Sequence, residues 1–210
     1  MVYKILLAGP QGSGKGTQAE RLGAALGIPT FAMGQLLRDE IASQTEIGKN
    51  VEASMKAGDL VSDEVAATVL KSRLARPDTT RGYILDGYPR NLAQYAVFKF
   101  DTPTHVLVID VPREESLARL GGRLTCTVCG KVYAMRDGHN VGEACSCGGS
   151  LMQRDDDTRE AINRRLDIYE QDTAPVIQKF VEQGLVSHID GVGTPEEINL
   201  RLRHALGITE

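Results

Sequence analysis

The 210-residue chain contains no tryptophan, and only 5% of its residues are aromatic. A surface that stacks nucleobases between aromatic and basic side chains is therefore not expected. An excess of positive charge is missing too: 24 Lys and Arg face 28 Asp and Glu, a formal balance of −4. Proteins that ride on a nucleic-acid backbone are ordinarily basic, so nucleic acid is not an expected partner. No apolar run approaches the ~20 residues that cross a bilayer, and Met1-Val2-Tyr3-Lys4-Ile5 does not open a secretory signal. No membrane partner is expected, and the cytoplasm is the expected compartment. Cysteine is scarce, and Cys126, Cys129, Cys145 and Cys147 crowd into one stretch, unlike an evenly spread disulfide framework. What remains, 41% hydrophobic and 25% charged residues, suits one large folded domain with small inserts.

The pattern of apolar residues gives an outline. Val2 to Ala8 reads as a buried strand that runs into a glycine-rich turn, after which Ala19, Leu22, Ala25 and Leu26 recur at helical spacing up to Gly27. Helical patterns cover about 34–57 and 62–75, parted by Ala57-Gly58 and the capping candidates Ser62 and Asp63. Tyr83-Ile84-Leu85 and His105 to Ile109 are continuous apolar runs, as in strands covered by helices on both faces. Val186 to Ile189 is expected as the last strand, ahead of a helix from Pro195 to about Leu206. The alternation predicts an α/β fold with a doubly wound parallel sheet. Residues 124–153 interrupt it as a small insert, followed by a long amphipathic helix from Thr158 to about Gln183, kinked at Pro175.

Gly9-Pro10-Gln11-Gly12-Ser13-Gly14-Lys15, between strand and helix, has the form of a P-loop. The glycines let backbone N–H groups turn toward phosphate oxygens, the helix start adds its dipole, and Lys15 adds a point charge. Gly16 stands where most P-loops carry the hydroxyl that ligates magnesium, and Thr17 follows one residue later. A carboxylate elsewhere is then expected to hold the ion's water shell.

Beyond this loop the chain resembles the adenylate kinases among nucleoside monophosphate kinases. Leu85-Asp86-Gly87-Tyr88-Pro89-Arg90 with Gln94 resembles their "LDGFPR…Q" signature, and Gly34-Gln35-Leu36-Leu37-Arg38 resembles their "GDMLR" segment. Gly58-Asp59-Leu60-Val61-Ser62-Asp63 is similar to their "G-x-L-V-x-D" turn, and Arg119, Arg123, Arg154, Asp156, Asp157 and Arg165 fall where their lid arginines and acidic pair fall. The resemblance implies reversible transfer of a phosphoryl group from ATP to AMP, giving two ADP, with magnesium; a fold that closes around both substrates is expected to work as a monomer. It implies a core of residues 1–32, 63–123 and 162–210, a monophosphate-binding insert at 33–62 and a lid at 124–161.

By the same resemblance Gly12, Ser13, Gly14, Lys15, Gly16, Thr17, Arg119 and Arg123 would bind ATP, with Arg119 stacking on its base. Gly34, Arg38, Gly87, Arg90 and Gln94 would bind AMP, Gln94 reading the adenine edge. Arg123, Arg154 and Arg165 would close over the transferring group, and Asp86 would orient magnesium through its waters. Lys15, Asp86, Arg90, Arg123, Arg154 and Arg165 make up the expected catalytic set. Arginine suits the task because its planar fork grips phosphate in a bidentate way and stays charged. Asp156 and Asp157 are read either as helix-capping charges or as ligand or hinge residues. The chain departs from the family pattern at Met33, where a threonine is usual, and at Gln35, where an aspartate is usual. A different acceptor, UMP or CMP, is the nearest alternative. A non-catalytic nucleotide-binding or nucleic-acid-binding zinc protein is a more distant one.

Cys126-x-x-Cys129 and Cys145-x-Cys147 can supply four thiolates to a tetrahedral zinc, with neighbouring glycines allowing tight turns. So short an insert buries little core, so the metal is expected to be structural. CxC departs from the second CxxC or Cys-x-x-Asp of metal-bearing lids in the family, and His139 is a candidate substitute ligand.

Overall fold

The computed structural model describes residues 2–208; Met1, Thr209 and Glu210, at the two ends of the expected core, lie outside the described residues. In chain order the central strands are β1 (Tyr3–Ala8), β2 (Thr30–Ala32), β3 (Gly82–Asp86) and β4 (His105–Asp110). Three short strands follow, β5 (Arg123–Cys126), β6 (Val132–Ala134) and β7 (Leu151–Met152), and then β8 (Val186–Asp190). Strands β2-β3-β1-β4-β8 form one parallel sheet, and β6-β5-β7 a small antiparallel one.

The continuous apolar runs follow from a sheet covered on both faces. Successive side chains of a strand point to opposite sides. Ile5 and Leu7 of β1, Ile84 of β3, and Leu107 and Ile109 of β4 share one cluster with Leu22, Ile198 and Leu202. Those last three belong to α1 (Lys15–Leu26) and to the C-terminal helix Pro195–Ala205. Leu6, Leu85, Val106 and Val108 face the other way, against Leu70, Val176 and Phe180. Each such side chain, fully buried, contributes roughly 1.5–3 kcal/mol.

The pattern over 34–57 resolves into two helices, α2 (Met33–Ala42) and α3 (Glu46–Ala57). Thr45 separates them, its side-chain oxygen accepting the Gly48 N–H at 3.0 Å. Helix α4 (Asp63–Leu74) follows, starting at a Ser62 cap. Strand β2 and the helices α5 (Leu92–Val97) and α6 (Arg113–Gly121) carry no periodic signal long enough to predict.

The expected single helix over 158–183 is corrected. Helix α7 (Arg159–Ile168) passes through a π-helical turn at Tyr169–Thr173 into α8 (Ala174–Val181). Pro175 has no N–H to donate and its ring would crowd the carbonyl four residues back. The widened turn removes the conflict one step earlier: the Ala174 N–H bonds the Tyr169 carbonyl, five residues back. Pro175 then sits in the first turn of α8, where a missing donor is tolerated.

Candidate active site and metal centre

The loop after β1 holds its shape through glycine. Gly9 (φ +133°) lies so close to the Ile109 carbonyl that a Cβ would overlap it, and Gly12 (φ +85°) would place one 2.8 Å from the Ser116 carbonyl. At the start of α1, the Lys15 ammonium folds back onto the Gly9 and Pro10 carbonyls at 2.8 and 2.9 Å. Burial lowers its pKa, Arg90, Arg123 and Arg165 lower it further, and Asp86 opposes them. Arg119, from α6, lies across the loop, bonding the Gly12 and Gly191 carbonyls at 3.4 and 3.0 Å and Glu115 at 2.5 Å.

The end of β3 delivers the second group. Asp86 has a carboxylate with no hydrogen-bond partner among the described residues, and it is the anion nearest in effect to both Lys15 and Arg90. Arg90 is held at its base: its N–H meets Gln94 Oε1 at 2.8 Å, its Nε meets the Gly87 carbonyl at 2.8 Å, and its carbonyl accepts from Thr173 Oγ1 at 2.9 Å. The π-helical turn brings Thr173 there. A Cβ at Gly87 (φ +80°) would stand 2.6 Å from Arg90 Nη2. Gln94 is buried, at 2% exposure, so it is no ordinary surface glutamine. Its Oε1 is in use, and its NH2 has no partner among the described residues. On α2, Arg38 directs Nε and Nη2 to Gln35 Oε1 at 3.1 and 3.0 Å, beside Gly34. Met33 is buried in the core below.

The third group comes from the small antiparallel sheet and α7. Arg123 makes a two-pronged pair with Asp157, at 2.8 and 2.6 Å. Arg165 reaches the same carboxylate at 2.8 Å and Asp156 at 2.9 Å. The Asp157 side chain is fully buried and pairs with two arginines, an arrangement that neither reading of the acidic pair, capping charge or ligand or hinge residue, had named. The signal was in the sequence, an Asp-Asp-Asp run directly after Arg154, although such runs are usually solvated. Arg154 bonds Thr125 Oγ1 at 2.9 Å, and burial, with Arg123 and Arg38 nearby, lowers its pKa.

All three groups face a single cavity of about 1190 Å³, lined by every nucleotide-site residue named from the sequence. A glycine-rich loop with its lysine, and arginines from α2, the end of β3, the small sheet and α7, thus surround one space. The family model for adenylate kinases matches residues 7–185. The adenylate kinase of Syntrophotalea carbinolica is 41% identical over 97% of this chain and 98% of its own length. That of Carboxydothermus hydrogenoformans is 37% identical over 97% and 99%, and that of Methanothrix thermoacetophila 40% identical over 92% and 94%. The chain belongs to the adenylate kinase family. It is an enzyme, an ATP:AMP phosphotransferase.

The chain carries a four-cysteine cluster at the end of β5 and in the loops of the small sheet. The Sγ atoms of Cys126, Cys129, Cys145 and Cys147 lie within 4.8 Å of one another, with Cys126–Cys147 at 3.4 Å and Cys129–Cys145 at 3.8 Å. A tetrahedron of Zn–S bonds of about 2.3 Å places its sulfurs near 3.8 Å apart, so the donor set fits a metal ion of that size. Hydrogen bonds from the Cys147 N–H and Tyr133 hydroxyl pull the Cys145 thiol down to about 6, whereas against the Lys131 backbone bond those shared with Cys147 and Cys126 push Cys129 up to about 12. His139 is corrected as a substitute ligand: its Nδ1 pairs with Glu143 at 2.8 Å and its ring packs edge-on to Tyr133.

Proposed function

We propose that the enzyme carries out ATP + AMP ⇌ 2 ADP with magnesium, mainly by positioning and charge stabilisation. The observation that carries this reading is the convergence of Lys15, Arg38, Arg90, Arg123, Arg154 and Arg165 on one cavity with Asp86. Lys15 and the loop N–H groups would hold the donor phosphates, and Arg119 would lie against the donor base. Arg38 and Arg90 would hold the acceptor phosphate, and Gln94 Oε1, with a second lone pair, would join its free NH2 in reading adenine. Arg123, Arg154 and Arg165 would exchange their carboxylate partners for phosphate oxygens. Asp157 would keep Arg123 and Arg165 aligned until then. Magnesium, when bound, supplies charge neutralisation between phosphate oxygens, and the unpartnered Asp86 carboxylate fits its water shell.

On this reading the insert at 33–62 and the lid at 124–161 close on a core of 1–32, 63–123 and 162–210, and reopening limits turnover. Zinc in the cysteine cluster would stiffen the lid without touching substrate. A fold that closes on both substrates works as a monomer, and an enzyme with no membrane-spanning helix among its described residues suits the cytoplasm. Met33 favours a second reading, an acceptor such as UMP or CMP, because no hydroxyl stands at that position. Initial rates from Mg·ATP to AMP, UMP, CMP and GMP, run in parallel, test both. Strong preference for AMP is expected; preference for a pyrimidine would move the acceptor, and no transfer would sink the reading.

The pH dependence gives a separate check on Lys15. Its pKa in the free enzyme lies below the ordinary 10.5, so the ammonium is lost early as pH rises. Bound phosphates favour the charged form and raise it again. The alkaline fall of kcat/KM for ATP, which reports the free enzyme, is therefore expected below pH 10.5 and at lower pH than the fall of kcat. Lys15→Arg should move the first limb upward. Identical alkaline limbs for kcat and kcat/KM would contradict this assignment.

A further inference from the structure

We propose that Gln11 is a further catalytic residue, donating its carboxamide N–H to the phosphoryl group in transfer. This rests on the reading of the Lys15 loop as the donor phosphate site. Gln11 lies in that loop, between Pro10 and Gly12, and lines the cavity shared with Lys15, Asp86, Arg90 and Arg123. Its Oε1 is buried with no hydrogen-bond partner, and neither end of its carboxamide has one among the described residues. Most polar groups of the loop are satisfied, although Ser116 Oγ, on the residue packed against Gly12, is also buried without a partner. Lys15 bonds two loop carbonyls, the Ser13 N–H bonds the Pro10 carbonyl at 3.2 Å, and Gln18 is paired at both ends, to Pro195 at 2.8 Å and Asn199 at 3.1 Å.

A buried polar atom without a partner costs stability and is uncommon in a folded protein. It is accounted for if the partners arrive with the substrate. Phosphoryl oxygens only accept, so they meet Nε2–H, and the carbonyl meets an N–H of the arginines gathered around them. A neutral donor also suits this place. The mutual repulsion of Lys15 and its arginines is already felt, and a carboxamide adds a hydrogen bond without adding charge. In the transfer the bond from the γ-phosphorus to its bridging oxygen breaks, and a bond to an acceptor phosphate oxygen forms. Gln11 neither gains nor loses a proton; its hydrogen bond strengthens as charge shifts onto the moving group.

Gln11→Met, which keeps the length without polar atoms, and the isosteric Gln11→Glu test this on the full, metal-loaded chain. Gln11→Met is expected to lower kcat roughly 10- to 100-fold with both KM values within about twofold. Its ligand-free Tm should be unchanged or higher, since an unpaired acceptor is gone. Gln11→Glu turns a carboxylate toward phosphate and should be slower still near pH 8, recovering relative to Gln11→Met as pH falls and the carboxyl becomes a donor. A Gln11→Met enzyme with wild-type kcat, or a Gln11→Glu to Gln11→Met rate ratio independent of pH, overturns the inference. The second comparison decides alone if Gln11→Met loses activity through misfolding, because Gln11→Asn then replaces it as the reference. A wild-type enzyme that does not phosphorylate AMP would instead mark failure of the functional reading itself.

Discussion

Arg90→Ala is expected to lower kcat by about 10³-fold or more, while the ligand-free protein unfolds at nearly the wild-type temperature. A single arginine on a transferring phosphoryl group is worth that much elsewhere, and the acceptor phosphate that Arg90 would hold supplies the oxygen that attacks that group. Here the backbone of Arg90 is fixed by Gln94 and Thr173, and its side chain by the Nε bond to the Gly87 carbonyl. Its two Nη groups have no partner among the described residues and face the cavity. The guanidinium is thus held ready in the absence of substrate, and burial lowers its pKa, a sign that it bears a desolvation cost when the site is empty. Removing it deletes one internal hydrogen bond and that cost together, so Tm should move by no more than about 2 °C. The KM for AMP should rise about tenfold or more and that for ATP much less. Arg90→Lys restores the charge but not the fork, so most of the loss should persist. Initial-rate kinetics with both nucleotides varied check the split. A kcat within tenfold of wild type would remove Arg90 from the transfer step.

On the reading that zinc occupies the cysteine cluster, chelation should melt the small sheet and abolish turnover. Leu124, Leu151, Cys126 and Cys145, with Tyr133 against them, are the whole buried cluster of this unit. Two of those four are cysteines of the cluster itself. Such a core cannot offset the entropy of ordering the loops between β5, β6 and β7, whereas a structural zinc contributes on the order of 10 kcal/mol. Gly149 shows how closely the loops approach, since a Cβ there would stand 2.6 Å from Cys126 Sγ. Arg123 belongs to β5 and Arg154 bonds Thr125 of the same strand, so melting the sheet scatters both. One zinc per chain by metal analysis, and new protease cleavage within 126–151 after chelation, are the expected results. A metal-free chain with an intact, protease-resistant lid would refute the structural role.

The site was unevenly legible in the sequence. The phosphate loop could be read because its chemistry is local: seven consecutive residues dictate turn, N–H directions and lysine. The cysteine cluster was equally plain, since two short turns carry all four thiols. Arg38, Arg90, Arg123 and Arg165 needed the family resemblance, because a lone arginine on a helix or strand end looks like any solvated charge. Asp157 stayed ambiguous: it becomes the buried partner of two arginines only because Arg123 of β5 and Arg165 of α7 both reach it in the fold. Gln35 bonding Arg38, Glu115 bonding Arg119 and Thr173 beneath Arg90 went unread for the same reason.

What the sequence determined by itself was the kind of chemistry and the layering of the core. Alternate residues of β1, β3 and β4 had to be buried on both faces, and a glycine-rich turn ahead of a helix had to present N–H groups. Both follow from period and stereochemistry within a few residues. Only the tertiary structure decided which charges meet. Ion pairs and hydrogen bonds act over a few ångströms, between side chains set on four different elements, and their strength depends on burial. Neither distance nor burial is written in the order of residues until the sheet, the π-helical turn and the lid have been placed against one another.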